Sequence, residues 1–182
     1  MHLERELVKG GKYLNRFLYR GMAYMYRDRS DDVLAAYREF IAGMPAAVIS
    51  PNGIFMAHST PKRPFIPTIS RAYLEEQGPD VSLKGLKPIA AMVNGRDYEK
   101  DTANEFAEQM EVDLLLCGHT PTNKGWKVPN HRHLIIDSQH EQARYVTFDL
   151  ARKYGSAVEL SARVELIDPV AATIEVSDSD LM

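Results

Sequence analysis

Up to Pro45 the apolar positions recur at helical spacing; from Ala46 onward they gather into short continuous runs. Leu7, Leu14, Phe17, Leu18, Met22 and Met25 predict helix through most of residues 3–27, with a break at Gly10-Gly11. A clearer helix follows in SDDVLAAYREFIAGMP. Ser30 is its expected N-cap, and Asp31 and Asp32 suit the positive end of the helix dipole. Val33, Leu34, Tyr37, Phe40, Ile41 and Met44 make one apolar face, which Gly43 and Pro45 end.

The runs AAVIS and IFMAH, separated by the turn signal PNG, predict a hairpin of residues 46–50 and 54–58. A loop bearing Pro61, Pro64 and Pro67 leads to a short helix over residues 69–77. Residues 78–88 read as loop, and PIAAMV as a further strand candidate. Tyr98, Thr102, Phe106 and Met110 align at four-residue steps and predict a helix over 98–110. Residues 112–117 form a continuous apolar run of the buried-strand kind. HLIID and ARYVTFDL are two more strand candidates, and VELSARVELI alternates like a strand. The expected fold is mixed α/β: a domain over residues 1–167, helical over 1–45 and strand-rich over 46–167, followed by an acidic tail at 168–182.

Composition narrows the classes. The chain of 182 residues is 45% hydrophobic and 26% charged, ordinary for a soluble globular protein. A net charge of −3 gives no general attraction to nucleic acid or to anionic membranes. Cys117 is the single cysteine, so an internal disulfide is excluded and a reduced, cytoplasmic setting is expected. There is no apolar run long enough to span a bilayer, and the start MHLERELVKGG lacks the apolar core of a signal peptide.

Two apolar runs end in a histidine, IFMAH at His58 and LLLCGH at His119, and both continue into small polar residues and a proline. Two readings stand for each. One is a strand end capped by hydrogen bonding. The other is a metal ligand fixed on a rigid strand, since imidazole is the commonest metal ligand and loops at strand ends are where sites are built. Gly118, before His119, is expected to give the backbone clearance there.

The strings NGIFMAHSTP, VDLLLCGHTPTNKGW and HLIIDSQHEQARYVTFDL together resemble the C-terminal half of a calcineurin-like metallophosphoesterase. The nearest branch is that of the bacterial relatives of serine/threonine protein phosphatases, and the matches cover residues 30–150. The resemblance implies part of a two-sheet β-sandwich flanked by helices. It implies hydrolysis of phosphate monoesters, phosphoserine or phosphothreonine in a protein or small phosphoesters, with a dinuclear centre of Mn, Fe or Zn. His58 and His119 would serve one metal. Arg96, in VNGRD, would fork onto the substrate phosphate; a surface arginine is the other reading. His140, in DSQH, would line the site or merely follow a strand.

Position 121 is a proline, so this segment offers a single histidine, as in the protein-phosphatase branch. The family's Asp-x-His, Gly-Asp-x-x-Asp and Gly-Asn-His motifs do not occur before His58. The chain is therefore expected to begin just after the third of them, and three readings follow: the C-terminal half of an enzyme, a non-catalytic remnant or binding module, or one half of a split enzyme. Exposed sheet edges and an uncovered apolar face are then expected, with self-association or a missing N-terminal half as the corresponding partner.

His131 and His133 alternate across a strand entry, as a chelating pair or, more simply, a solvated one. Cys117 reads as a buried, inert thiol. Trp126 packs the loop below His119 or edges the cleft, and Asn52-Gly53 reads as a hairpin turn only. Walker, dinucleotide-binding and zinc-finger spacings are absent, and basic residues are not interleaved with aromatics as in a nucleic-acid-binding surface.

Overall fold

In a computed structural model the described residues are 8–9, 12–76, 87–138 and 141–167. The acidic tail expected at 168–182 lies outside them. The chain enters through a small antiparallel ladder of β1 (Val8–Lys9) and β2 (Lys12–Tyr13). At residues 8–9 and 12–13 this ladder stands where helix was expected, and the helix is found as α1 over Leu14–Tyr26. A 3-10 turn at Arg27–Arg29 reverses the chain into α2, Ser30–Ala42. Ser30 is not the cap: its own backbone is already helical, so Arg29 holds the cap position without a side-chain bond. Asp31 and Asp32 occupy the first turn as expected. No residue of α2 is buried, and Phe40 on its apolar face and Met44 just past its end are exposed.

The central sheet has five strands: β3 (Ala47–Ile49), β4 (Ile54–Ala57), β5 (Leu114–Cys117), β6 (Trp126–Asn130) and β7 (His133–Ile136). Their order is β3-β4-β5-β7-β6. The expected hairpin β3–β4 is antiparallel, and its turn uses Gly53 at φ 84°. Strands β4, β5 and β7 run parallel, with Ala57 opposite Cys117 and Cys117 opposite Ile135. β6 returns antiparallel to β7 at the edge, and its register slips between Lys127 and Asn130. The sequence pattern does not reveal β6, because Pro129 interrupts it. An edge position tolerates that proline, since one side of the strand has no ladder to complete.

Side chains alternate across the sheet. Phe55 and Leu115 face a core closed by α5 (Lys100–Met110), a 3-10 turn at Arg63–Thr68 and α4 (Lys87–Asn94). There Phe55 meets Phe106 edge to face at 5.1 Å. Ile54, Leu114 and Leu134 face a second core closed by Tyr154 and by Ala157 and Leu160 of α6 (Ala157–Ser161). Helix α3 is short, Arg71–Glu76.

One expected strand is a helix and another is a helix in its first part only. PIAAMV forms α4, because Ile89 and Met92 bury at three-residue spacing and Pro88 is tolerated in a first turn. A continuous apolar run fits either state, and here the helical spacing wins. The alternating VELSARVELI divides. Its first part is in α6, capped by Ser156 Oγ, which accepts from the Glu159 amide at 3.2 Å. Val164–Leu166 forms β9, which pairs with β8 (Arg144–Val146). The Ser-x-x-Glu spacing of Ser156 and Glu159 is the helix-start signal that overrides the alternation. The result is a mixed α/β fold with one five-stranded sheet and two small ladders among the described residues. Among the same residues no helix is long and apolar enough to cross a membrane.

Candidate functional site

Because β4 and β5 are adjacent and parallel, both strand-end histidines emerge at the same edge. Gly118 N–H donates to the His58 carbonyl at 3.1 Å and extends the ladder by one step. Nε2 of His58 and Nδ1 of His119 then stand 2.7 Å apart, with the rings inclined at 65°. At that distance one imidazole donates and the other accepts. His58 is exposed and His119 half-buried. His119 reaches this position in the left-handed region, at φ 64°. Gly118 does not supply the expected clearance: a Cβ there would meet only ordinary contacts, 3.5 Å from the Ile136 carbonyl. The strain lies one residue later, on the histidine itself.

The loops around the pair are tied to one another. Ser59 Oγ donates to the Met92 carbonyl and accepts from the Gly95 amide at 3.1 Å. A Cβ on Gly95 would lie 1.7 Å from the Thr60 carbonyl oxygen, so this approach requires glycine. Arg96 is thereby carried to the side of the His58 loop, and its guanidinium is exposed, with no hydrogen bond or ion pair to the described residues. Tyr98 completes the tie from this loop by bonding its hydroxyl to Thr120 Oγ1, next to His119. Burial raises the Tyr98 phenol above its ordinary range, so the hydroxyl stays protonated.

The third parallel strand, β7, delivers Asp137 at the same edge. Its carboxylate Oδ2 accepts from the Thr122 amide at 2.7 Å, holding the turn that follows His119. Asp137 escapes the sequence reading. The available signal was its position at the end of the apolar run HLII, equivalent to those of the two histidines.

The other candidates separate. His131 lies on an exposed turn, whereas His133 is fully buried in β7, so the two form neither a chelating nor a solvated pair. Burial lowers the His133 imidazole to about 4, and its Nε2 faces Cys117 Sγ at 3.1 Å. Burial likewise pushes the Cys117 thiol up to about 12, so it is inert as expected. Trp126 is half-buried against the second core. His140 lies outside the described residues. Asn52 does more than turn the hairpin: its Nδ2 donates to the carbonyls of Asp149 and Arg152 at 3.0 and 2.8 Å.

At this edge two imidazole nitrogens stand side by side, while the Asp137 carboxylate is engaged by the Thr122 amide. A tetrahedral zinc ion would hold two such nitrogens about 3.3 Å apart, a little wider than the 2.7 Å found. Catalytic zinc sites use three protein ligands, however, and no group of three or more His, Cys, Asp or Glu side chains among the described residues is arranged to hold a metal. These residues alone therefore do not fit the dinuclear centre. Comparison with protein-family models, curated proteins and solved structures gave no match to this chain.

Proposed function

We propose that this chain contributes a two-histidine half-site to a metal-dependent phosphoesterase acting on phosphate monoesters. The observation that carries the reading is the convergence of His58 and His119 at the ends of two adjacent parallel strands, 2.7 Å apart across sixty-one residues of sequence. Arg96 on the neighbouring loop supports it, since an exposed guanidinium without a hydrogen bond or ion pair among the described residues suits a phosphate oxygen. The calcineurin-like two-sheet sandwich belongs to the same proposal. So do the missing ligands, which must come from polypeptide beyond the described residues or from a partner chain. A specific observation favours the second reading, a non-catalytic binding module: the pair is one donor short of a catalytic set.

Zinc titration and phosphatase assay test the reading together. The chain alone binds Zn²⁺ weakly, loses at least about tenfold in affinity when His58→Ala or His119→Ala removes one of two ligands, and leaves p-nitrophenyl phosphate with Mn²⁺ near background. Metal affinity unchanged in both variants sinks the half-site. Enzyme-like turnover that His119→Ala abolishes would show that the site is complete and overturn the half-site reading.

A further inference from the structure

At the opposite end of the sheet from the histidines, a cleft of about 410 Å³ opens beneath the starts of β5 and β7. Asp113, Leu114, His131, Arg132, Lys153, Tyr154 and Gly155 line it. Arg132 is held rigidly: Nε donates to Asn104 Oδ1 at 2.9 Å, and Nη1 to the carbonyls of Asp113 at 3.0 Å and Val112 at 3.5 Å. Its Nη2 keeps no partner among the described residues. Lys153 meets the Asp113 carboxylate at 3.3 Å, but both side chains are largely in water, at 78% and 51% exposure. Such a pair is cheap to exchange for another anion. The neighbouring Arg152 is committed elsewhere, to Glu159 at 2.6 Å. The loop carrying Lys153 is pinned from below by Asn52, whose amide spans its two carbonyls. Two permanent cations therefore share the cleft with one carboxylate, and their backbones are fixed before any ligand arrives.

We propose that this cleft binds a small phosphate-type oxyanion, with Arg132 Nη2 and Lys153 Nζ as its charged donors and Asp113 as the carboxylate it displaces. The site is separate from the histidine pair and stands whether or not the phosphoesterase reading does. A preoriented guanidinium and a mobile ammonium make charge-assisted bonds to such oxygens without reorganising the sheet. His131 also lines the cleft.

Calorimetric titration of the full chain with inorganic pyrophosphate at low ionic strength tests this. The expected result is saturable binding that weakens steeply with added salt. Lys153→Gln lowers the affinity about tenfold. Asp113→Asn raises it several-fold, because the competing carboxylate is gone. A His58→Ala/His119→Ala double variant leaves it unchanged. The opposite signs of the first two variants separate a local charge effect from partial unfolding, which would weaken both. The proposal is overturned if no saturable heat develops up to millimolar pyrophosphate. It is equally overturned if Asp113→Asn weakens binding, or if the histidine variant abolishes it while Lys153→Gln does not. That last pattern would place the anion at the strand ends and leave the proposed function intact.

Discussion

Nε2 of His58 and Nδ1 of His119 lie within hydrogen-bond distance, 2.7 Å, yet only one of the two residues sits in relaxed backbone. His119 holds φ at 64°, where a side chain with a Cβ costs about 1–2 kcal/mol over the right-handed form. A histidine kept in a glycine-favouring conformation is what a site would retain at the expense of stability. The variants His119→Gly and His119→Ala both remove the imidazole bond, so their difference isolates the backbone. Urea unfolding is expected to find His119→Gly more stable than His119→Ala by about 1 kcal/mol, with zinc affinity reduced alike in both. Equal stabilities would remove the argument for strain at this position.

His133 sets a pH dependence of folding. Its imidazole is lowered by burial first and by the Lys127 charge second, to about 4 from 6.5, and Nδ1 is buried without a hydrogen-bond partner among the described residues. The folded chain therefore keeps this ring neutral where the unfolded chain takes up a proton. The contribution is complete above pH 6.5 and is lost as pH falls toward about 4, at up to about 1.4 kcal/mol per pH unit and about 3 kcal/mol in all. Replacing His133 by Leu removes this slope, and the unfilled polar nitrogen with it. Parallel denaturation curves at pH 7 and pH 4 are expected to separate at the lower pH, where wild type loses about 3 kcal/mol relative to the variant. A constant gap between them would show that His133 is not the titrating group.

Among the described residues, helix α2 and the turn after it leave apolar side chains uncovered. Phe40 is 66% exposed and Met44 57%, and α1 adds Phe17 at 63% and Met25 at 70%. Exposed apolar patches of this kind drive association in dilute solution. Phe40→Ser with Met44→Lys is expected to change the unfolding free energy by no more than about 0.5 kcal/mol, since neither side chain is buried. Sedimentation velocity should show concentration-dependent association in the parent chain and less of it in the variant. Identical sedimentation of the two would show that this face is not what associates.

The hairpin was legible because Pro51, Asn52 and Gly53 interrupt two apolar runs, and the turn does use Gly53 with φ positive. The approach of His58 to His119 was legible in part. Each histidine ends an apolar run, but only the parallel pairing of β4 and β5 puts the two ends side by side. Pairing across sixty-one residues leaves no local trace in a single sequence. The same limit hid Asp137 and Tyr98, whose partners lie on other loops. PIAAMV failed for a different reason: its apolar residues are contiguous, so the period is ambiguous until Met92 and Ile89 find the core below α4. The solvated reading of His133 failed because the residues just before it in sequence are polar while its neighbours in space are Tyr98 and Cys117.

Gly95 has a mechanical consequence. With its amide on Ser59 and no room for a methyl group against Thr60, it bolts the loop of Arg96 to the loop of His58. Two loops joined in this way lose their separate hinges. They open as one body or not at all, and their backbone amides should exchange with solvent in a single correlated event. A ligand that stills either loop therefore stills its neighbour, and the guanidinium and the imidazole keep a common frame while the rest of the surface moves.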